Sequence, residues 1–306
     1  MTLTQLRYVS MIADKKTFSE ASKALFITQP SLTAAIKDLE EELHITIFHR
    51  TNKGVTLTNE GEEFLGYARQ VLEQMQLIEE KYKGKASSKQ QFCVSAQHYS
   101  FVVEAFVDLI KAYEQGAYDF RIRETQTYEI IEDVAKLKSE LGVLYLNDDN
   151  QTIIKKELKH HELTFYPLFI AKPHVFISKD HPLSNKKSID LQDLAPYPRL
   201  SYEQGEHNAF YFSEEILSTR DCQKDIIVRD RATLFNLLIG LHGYTISSGV
   251  LSEALNGENI IAIPLHVDDY MEIGYVLHNR VLPSHLTKQY IDYLKFRVKT
   301  MQYKHP

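Results

Sequence analysis

Apolar residues in the first sixty positions recur three and four apart in short bursts. Thr17 followed by Glu20 is a capping-box pattern, and Ala21, Ala24 and Leu25 give one apolar face to a short helix that ends by Phe26. Thr28 caps a second helix, with Pro30 in its first turn, where a missing N–H costs little. Along it Leu32, Ala35, Ile36, Leu39 and Leu43 fall on one stripe, which leaves Pro30, Thr33, Ala34 and Lys37 on the opposite side of its N-terminal half. Ile45 to Arg50, the turn Thr51-Asn52-Lys53-Gly54, and Val55-Thr56-Leu57 then read as a β-hairpin. Residues 59 to 83 read as one long helix, capped by Thr58, with Glu60, Glu62 and Glu63 at its positive end and Gly84 as its stop. Phe64, Ala68, Val71, Met75, Ile78 and Tyr82 repeat at coiled-coil spacing along it, predicting a homodimer through this helix, although a helix lying on its own core has the same period. The polar run Lys83 to Gln91 reads as a hinge, so residues 59–91 form a linker.

From residue 92 the pattern changes to short apolar runs separated by amphipathic stretches, the mark of an α/β fold. Strands are expected at 92–96, 120–123, 141–146, 175–177, 226–228 and 244–247, and parallel sheets follow. In open sheets of this kind ligands bind beyond the carboxyl ends of the strands, where helix N-termini offer free N–H groups. Three such ends are polar: Gln97-His98-Tyr99-Ser100, Thr125-Gln126-Thr127 and Arg231-Ala232-Thr233. They suit an anionic or zwitterionic small molecule whose ammonium Tyr202 and Glu203 would reach. For each residue, helix capping or loop solvation is an equal alternative.

Two helices joined by Phe26-Ile27-Thr28 meet the requirement of a helix-turn-helix, whose second helix enters the major groove. Gln29 would pair with adenine, Pro30, Ser31 and Thr33 allow close approach, Lys37 lies further along the same face, and Arg50 and Lys53 of the hairpin wing would contact phosphate or the minor groove. The formal net charge of -6 weighs against this, since nucleic-acid binders usually carry a basic footprint. Residues 1–58 nevertheless hold seven Lys and Arg against six acids, four of which lie between positions 38 and 42, beyond the reading end. At 306 residues and 43% hydrophobic the chain supports two or three domains. Cys93 and Cys222 are too few for a disulfide framework and too far apart for a redox motif; with no signal peptide and no membrane-length apolar run, a cytoplasmic protein is expected. No H-E-x-x-H, G-x-S-x-G, P-loop or G-x-G-x-x-G is present, and His160-His161, read as strand neighbours, would point to opposite faces and form no chelate; neither catalysis, metal nor cofactor is expected.

The run from Thr17 through Glu40, TFSEASKALFITQPSLTAAIKDLE, with Phe48-His49-Arg50 and Leu57-Thr58-Asn59-Glu60-Gly61, resembles the DNA-binding signature of LysR-type transcription regulators. Ala34 departs from the long polar residue that many members carry there. The resemblance implies a winged helix-turn-helix over 1–58 that binds double-stranded operator DNA and a two-lobed, periplasmic-binding-protein-like (type II) effector domain over 92–306. Lobe one would hold 92–162 with 268–306, lobe two 163–267, and a small-molecule effector would lie between them. It also implies homotetramers built from dimers, with RNA polymerase as a further partner. Val94 to Tyr99, Ile122 to Thr125, Gly142 to Asn147 and Asp230 to Leu234 look like the Gram-positive, CmbR/MtaR-like branch that controls cysteine and methionine uptake and synthesis, responding to O-acetylserine-like amino-acid precursors. A LysR-type regulator of another pathway, or a small-molecule-binding or catalytic α/β module with an association domain, remain the alternatives.

Overall fold

Thr2 and Gln5 open the first helix by capping each other: the Gln5 N–H donates to Thr2 Oγ1 at 3.2 Å, and the Thr2 N–H donates to Gln5 Oε1 at 2.8 Å. This helix, α1 (Leu3–Lys15), is followed by α2 (Phe18–Ala24) and α3 (Gln29–Leu43). Only half of the expected box forms on α2, where the Glu20 N–H donates to Thr17 Oγ1. The computed structural model describes residues 1–51, 54–83, 89–114, 116–205, 210–252 and 257–302, side chains 80–83, 210, 301 and 302 excepted. Two compact units result: Met1–Ser88 with Lys136–Lys138, and Lys89–Ala135 with Ser139–Pro306.

In the first unit one apolar stripe per helix makes the core, joining Val9 and Ile12, Phe18 and Ala21, and Leu32, Ile36 and Leu39 to Ile47, Phe48 and Leu65. The wing pairs β1 (Phe48–Thr51) with β2 (Gly54–Leu57), Thr51 opposite Gly54. Gly54 has φ of +134°, and a Cβ there would lie 2.5 Å from the Lys16 carbonyl oxygen, so only glycine lets the strand reach α1. Thr58 Oγ1 accepts the Gly61 N–H at 2.8 Å at the start of α4 (Asn59–Lys83), and a Cβ on Gly61 would meet the Ile47 carbonyl oxygen at 2.1 Å. The expected seam divides. Ala68 is buried and Phe64 packs on the unit's own core, whereas Val71 and Ile78 are 46% and 54% exposed and Met75 is half-buried. Tyr82 lies outside the described side chains, as do residues 84–88 of the expected hinge.

The second unit is mixed α/β in two lobes. Lobe one is a five-stranded sheet, ordered β4 (Tyr118–Glu124), β3 (Gln90–Ala96), β5 (Leu141–Leu146), β12 (Met271–His278), β6 (Leu163–Ala171). Alternation along the strands sorts its two faces: Phe92, Val94, Val143 and Ile273 pack with α5 (Ser100–Ala112) and α9 (His285–Gln302), while Leu144, Leu146 and Val276 pack with α6 (Thr127–Ala135) and α7 (Gln151–His160). Lobe two carries β7 (His174–Ser178) between β10 (Thr245–Ser247) and β11 (Ile260–Pro264), the parallel pair β8 (Arg199–Tyr202) and β9 (Asp225–Val228), and α8 (Arg231–Leu241).

Three expectations are corrected. The sheets are not all parallel: β3 pairs in parallel with β4 and β5, but β12 runs antiparallel to both β5 and β6, and β7 antiparallel to β10 and β11. The first crossover lies after Ala171, not at 162, because residues 163–171 form the edge strand of lobe one, a position in a sheet that tolerates Pro167. His160 ends α7 and His161 caps it, so the pair lies at a helix terminus rather than on a strand. Among the described residues no helix is long and apolar enough to cross a membrane.

Candidate DNA-reading surface and effector cleft

Helix α3 presents its reading face because its other face is anchored. Leu32 and Leu39 are fully buried and Ile36 nearly so, while Gln29, Pro30, Ser31 and Lys37 are exposed and Thr33 is half-buried between the two faces. The Ser31 N–H donates to Thr28 Oγ1 at 3.3 Å, and the two hydroxyls lie 2.8 Å apart. Lys37 lies 3.3 Å from Glu41 one turn on, an exposed pair of little energetic weight that a phosphate can outcompete. Arg50 is exposed on the wing, its guanidinium 4.7 Å from the centre of the Phe18 ring, which steers it without masking its donors. Lys53 lies outside the described residues. Sequence reasoning missed the role of Glu40, whose carboxylate accepts the N–H groups of Ile47 and Phe48 at 2.6 and 3.1 Å and so fixes where the wing leaves α3.

The cleft between lobes is lined from lobe one by His98, Tyr99 and Ser100 and from lobe two by Phe176, Tyr202, Glu214, Glu215, Arg231, Phe235, Ser247 and Val250. The His98 ring stacks on Tyr202 with centroids 3.8 Å apart and planes at 4°. Across the gap, Glu214 Oε2 accepts the His98 N–H at 3.0 Å, and His98 Nδ1 lies 3.0 and 2.9 Å from the two Glu214 oxygens. Arg231 donates to Glu124 from the opposite lobe. Burial acts to lower the His98 pKa, but the charge and hydrogen bond of Glu214 raise it above the usual imidazole value. Burial likewise pushes the Glu124 carboxyl up against the pull of Arg231, and burial with the neighbouring Glu214 charge raises Glu215 well above the usual carboxylate value. Its Oε2 and the Arg231 Nε are buried without a hydrogen-bond partner, groups that ask for an explanation in a folded protein.

Five of the ten residues expected at the effector site, His98, Tyr99, Ser100, Tyr202 and Arg231, meet at this cleft. Gln97 and Thr127 do not: both are fully buried, Gln97 Nε2 donates to Thr127 Oγ1 at 2.6 Å, and Gln97 Oε1 accepts from the Tyr99 hydroxyl and the Tyr145 N–H, each at 3.0 Å. They tie the strand ends together instead. Thr125 donates to Glu129, and Thr233 is an exposed capping partner of Asp230. Glu203 pairs with Arg229 and lines a second cavity, of about 150 Å³, with Tyr202, Gln204 and Glu215. Sequence reasoning missed Glu124, Glu214 and Glu215. The adjacent acids of Phe212-Ser213-Glu214-Glu215-Ile216, set between apolar residues, were the available signal.

A two-helix head followed by a wing, and a two-lobed domain with a polar cleft, are the layout of a DNA-binding regulator that carries an effector-binding domain. The pattern of the bacterial regulatory helix-turn-helix protein, lysR family, matches residues 3–62, and the LysR substrate binding domain matches residues 92–298; the chain belongs to the LysR family of transcriptional regulators. It is 27% identical over 273 residues to the HTH-type transcriptional regulator YbhD of Escherichia coli, covering 86% of this chain and 81% of that one. It is also 27% identical over 252 residues to the HTH-type transcriptional regulator AlsR of Bacillus subtilis, covering 82% and 78%. Among solved structures, a full-length OxyR variant from Pseudomonas aeruginosa superposes with a TM-score of 0.63 over 98% of this chain and 95% of that one, at 22% identity, a likeness of fold.

Proposed function

We propose that this regulator binds a two-fold operator as a homodimer joined through α4, and pairs of dimers as a tetramer, with Gln29, Pro30, Ser31, Thr33 and Lys37 of each subunit in the major groove and Arg50 and Lys53 on flanking phosphate. The effector is a small amino-acid precursor of the O-acetylserine kind, held by His98, Tyr99, Ser100, Tyr202 and Arg231, and the controlled genes serve cysteine and methionine supply. The carrying observation for the DNA contact is the split of α3: Leu32, Ile36 and Leu39 are inside while Gln29, Pro30, Ser31 and Lys37 face solvent at the helix start. Support for dimerisation is the exposed apolar pair Val71 and Ile78, a spacing of seven along a helix that its own unit leaves uncovered there. Support for the sulfur assignment is the four-segment resemblance, two of whose segments supply His98, Tyr99 and Arg231 to the cleft.

Fluorescence anisotropy with the chain's own upstream duplex over a potassium chloride series tests the DNA reading. Affinity should fall steeply as salt rises, and Arg50→Ala and Lys53→Ala should each reduce the slope of log K against log salt by about 0.9, the release of one phosphate's counterions. Gln29→Ala should change the preference over scrambled DNA more than the affinity for it. Binding that is absent or indifferent to salt sinks the reading. A thermal-shift panel of sulfur amino-acid precursors tests the effector, since a ligand selective for the folded state must raise Tm; silence across the panel removes the sulfur assignment and leaves the regulator.

A further inference from the structure

The contact between Glu214 and His98 has the geometry of a bound ligand rather than of a surface ion pair. Glu214 is supplied by lobe two, in a stretch that is neither helix nor strand, and its side chain is 6% exposed. In lobe one it meets the His98 N–H at 3.0 Å and the imidazole Nδ1 at 2.9 Å, two donors converging on one carboxylate just before α5 begins. The N-cap residue of α5, Tyr99, makes no side-chain capping bond, so no side chain of its own neutralises the positive end of that helix. A peptide N–H, an imidazole and a helix N-terminus together make a carboxylate receptor.

We propose that Glu214 is a tethered stand-in for the effector: the cleft takes a small molecule bearing a carboxylate, which displaces the Glu214 side chain from His98 and thereby breaks a lobe-to-lobe ion pair. The inference rests on the reading of this cleft as the effector site and adds the competition with Glu214 that controls binding there. Three observations carry it. With Glu214 in place the free space is about 30 Å³, room for about two waters and for no amino acid, so a protein group must leave before a ligand fits. Of the two acids that form ion pairs across the gap among the described residues, Glu124 belongs to a strand and Glu214 to an irregular segment, so Glu214 swings out at lower cost. Once it leaves, the His98 N–H and imidazole lose their carboxylate while Arg231 keeps Glu124, so an incoming anion restores the charge that Glu214 took away. Arg231 Nε, buried and unpartnered, is a donor available to such a ligand.

The competition is read with acetate as probe and the full-length chain. Glu214→Ala should gain a saturable rise in Tm of about 2–4 °C with sodium acetate, absent with equimolar sodium chloride or acetamide, as a free carboxylate fills the emptied receptor. Wild type should need at least about tenfold more acetate, because its receptor is occupied. His98→Phe in the Glu214→Ala background keeps an aromatic ring on Tyr202 and should abolish the response. Glu214→Gln keeps the side-chain length should the alanine variant fold poorly, and it should bind acetate more tightly than wild type. Equal acetate response in wild type and both variants, or none in either variant, overturns the proposal. A precursor that stabilises wild type through Arg231, beside variants blind to acetate, upholds the cleft and removes only the Glu214 inference. Acetate rescue with no precursor bound by wild type upholds the receptor and removes the effector assignment.

Discussion

Every residue proposed to touch DNA lies between positions 29 and 53, on one helix and one hairpin, and those described are exposed or half-buried in the free chain. The cleft draws His98, Glu124, Tyr202, Glu214, Arg231 and Val250 from across the second unit; Glu214 is buried and the others are half-buried. The reading head is thus a local construction: the stripe Leu32, Ile36, Leu39 decides which side of α3 is outside, and whatever remains is the reading face. The cleft is a construction of topology, in which a residue's position at a strand end does not decide whether it faces ligand or scaffold. Gln97 and His98 are neighbours, yet one is sealed into lobe one and the other crosses to lobe two.

That contrast is broken most forcefully at Gln97. Gln97→Leu keeps the volume and leaves the Tyr145 N–H, the Tyr99 hydroxyl and the Thr127 hydroxyl without their partner inside the fold. Each buried group so orphaned costs about 1–3 kcal/mol, and the variant should lose at least that much in denaturant unfolding of the effector half. DNA affinity of the folded fraction should be unchanged. Were stability intact and only ligand response lost, Gln97 would be a ligand contact after all and the division between scaffold and cleft would fail at that point.

The same contrast explains what the sequence disclosed. Helices α2 to α4, the wing and six of the second unit's strands were legible because each carries its own period and its own stop signal. Strand β6 was not, because Leu163-Thr164-Phe165-Tyr166-Pro167-Leu168-Phe169-Ile170-Ala171 contains a proline and pairs with β12, more than a hundred residues away, across a register shift at Ile273 and Gly274. Nothing local records that partner. Glu214 and Glu215 were hidden for the same reason: an acid pair reads as solvated surface until the fold closes a lobe over it. The α4 seam shows a limit of another kind, since its period predicted which residues share a face and not that Phe64 would be taken by the chain's own core while Val71 and Ile78 were left outside.

A smaller effect sharpens the electrostatic side of the comparison. His98 has a folded pKa raised above its ordinary value, burial opposing and Glu214 prevailing. A raised histidine contributes stability that is complete below the unfolded value, near 6.5, and is lost as pH climbs through the folded value. Glu124 supports the charged form, Arg231 opposes it, Asp230 is a further nearby acid, and Tyr202 is the stacked neighbour. The Tm of the effector half should therefore decline as pH is raised from about 6 through that range. His181, lowered by burial, acts with the opposite sign in every variant, so the difference between wild type and Glu214→Gln reports the groups that Glu214 perturbs, His98 together with Glu124 and Glu215, whose carboxyls it also raises. A pH profile identical in the two proteins would show that the pair does not hold the lobes.

The smallest effect is expected in the reading head, at the turn itself. Phe26 has φ of +56° and is 96% exposed, so a bulky side chain occupies the left-handed region with no packing in return. That conformation costs an L-residue roughly 1–2 kcal/mol, and asparagine visits it more readily. Phe26→Asn should raise the stability of the DNA-binding unit by about 0.5–1 kcal/mol in calorimetry, since the Ile27 N–H to Ser22 carbonyl bond that closes the turn involves only backbone. A stabilised variant with unchanged operator affinity would mean that the ring is tolerated because the short turn, not the side chain, sets the angle between α2 and α3. A stabilised variant that binds DNA more weakly would place the ring against the duplex and extend the reading surface back from Gln29 into the turn. Loss of stability would overturn this account of the turn, for it would require a contact that the exposed ring does not make in the free chain.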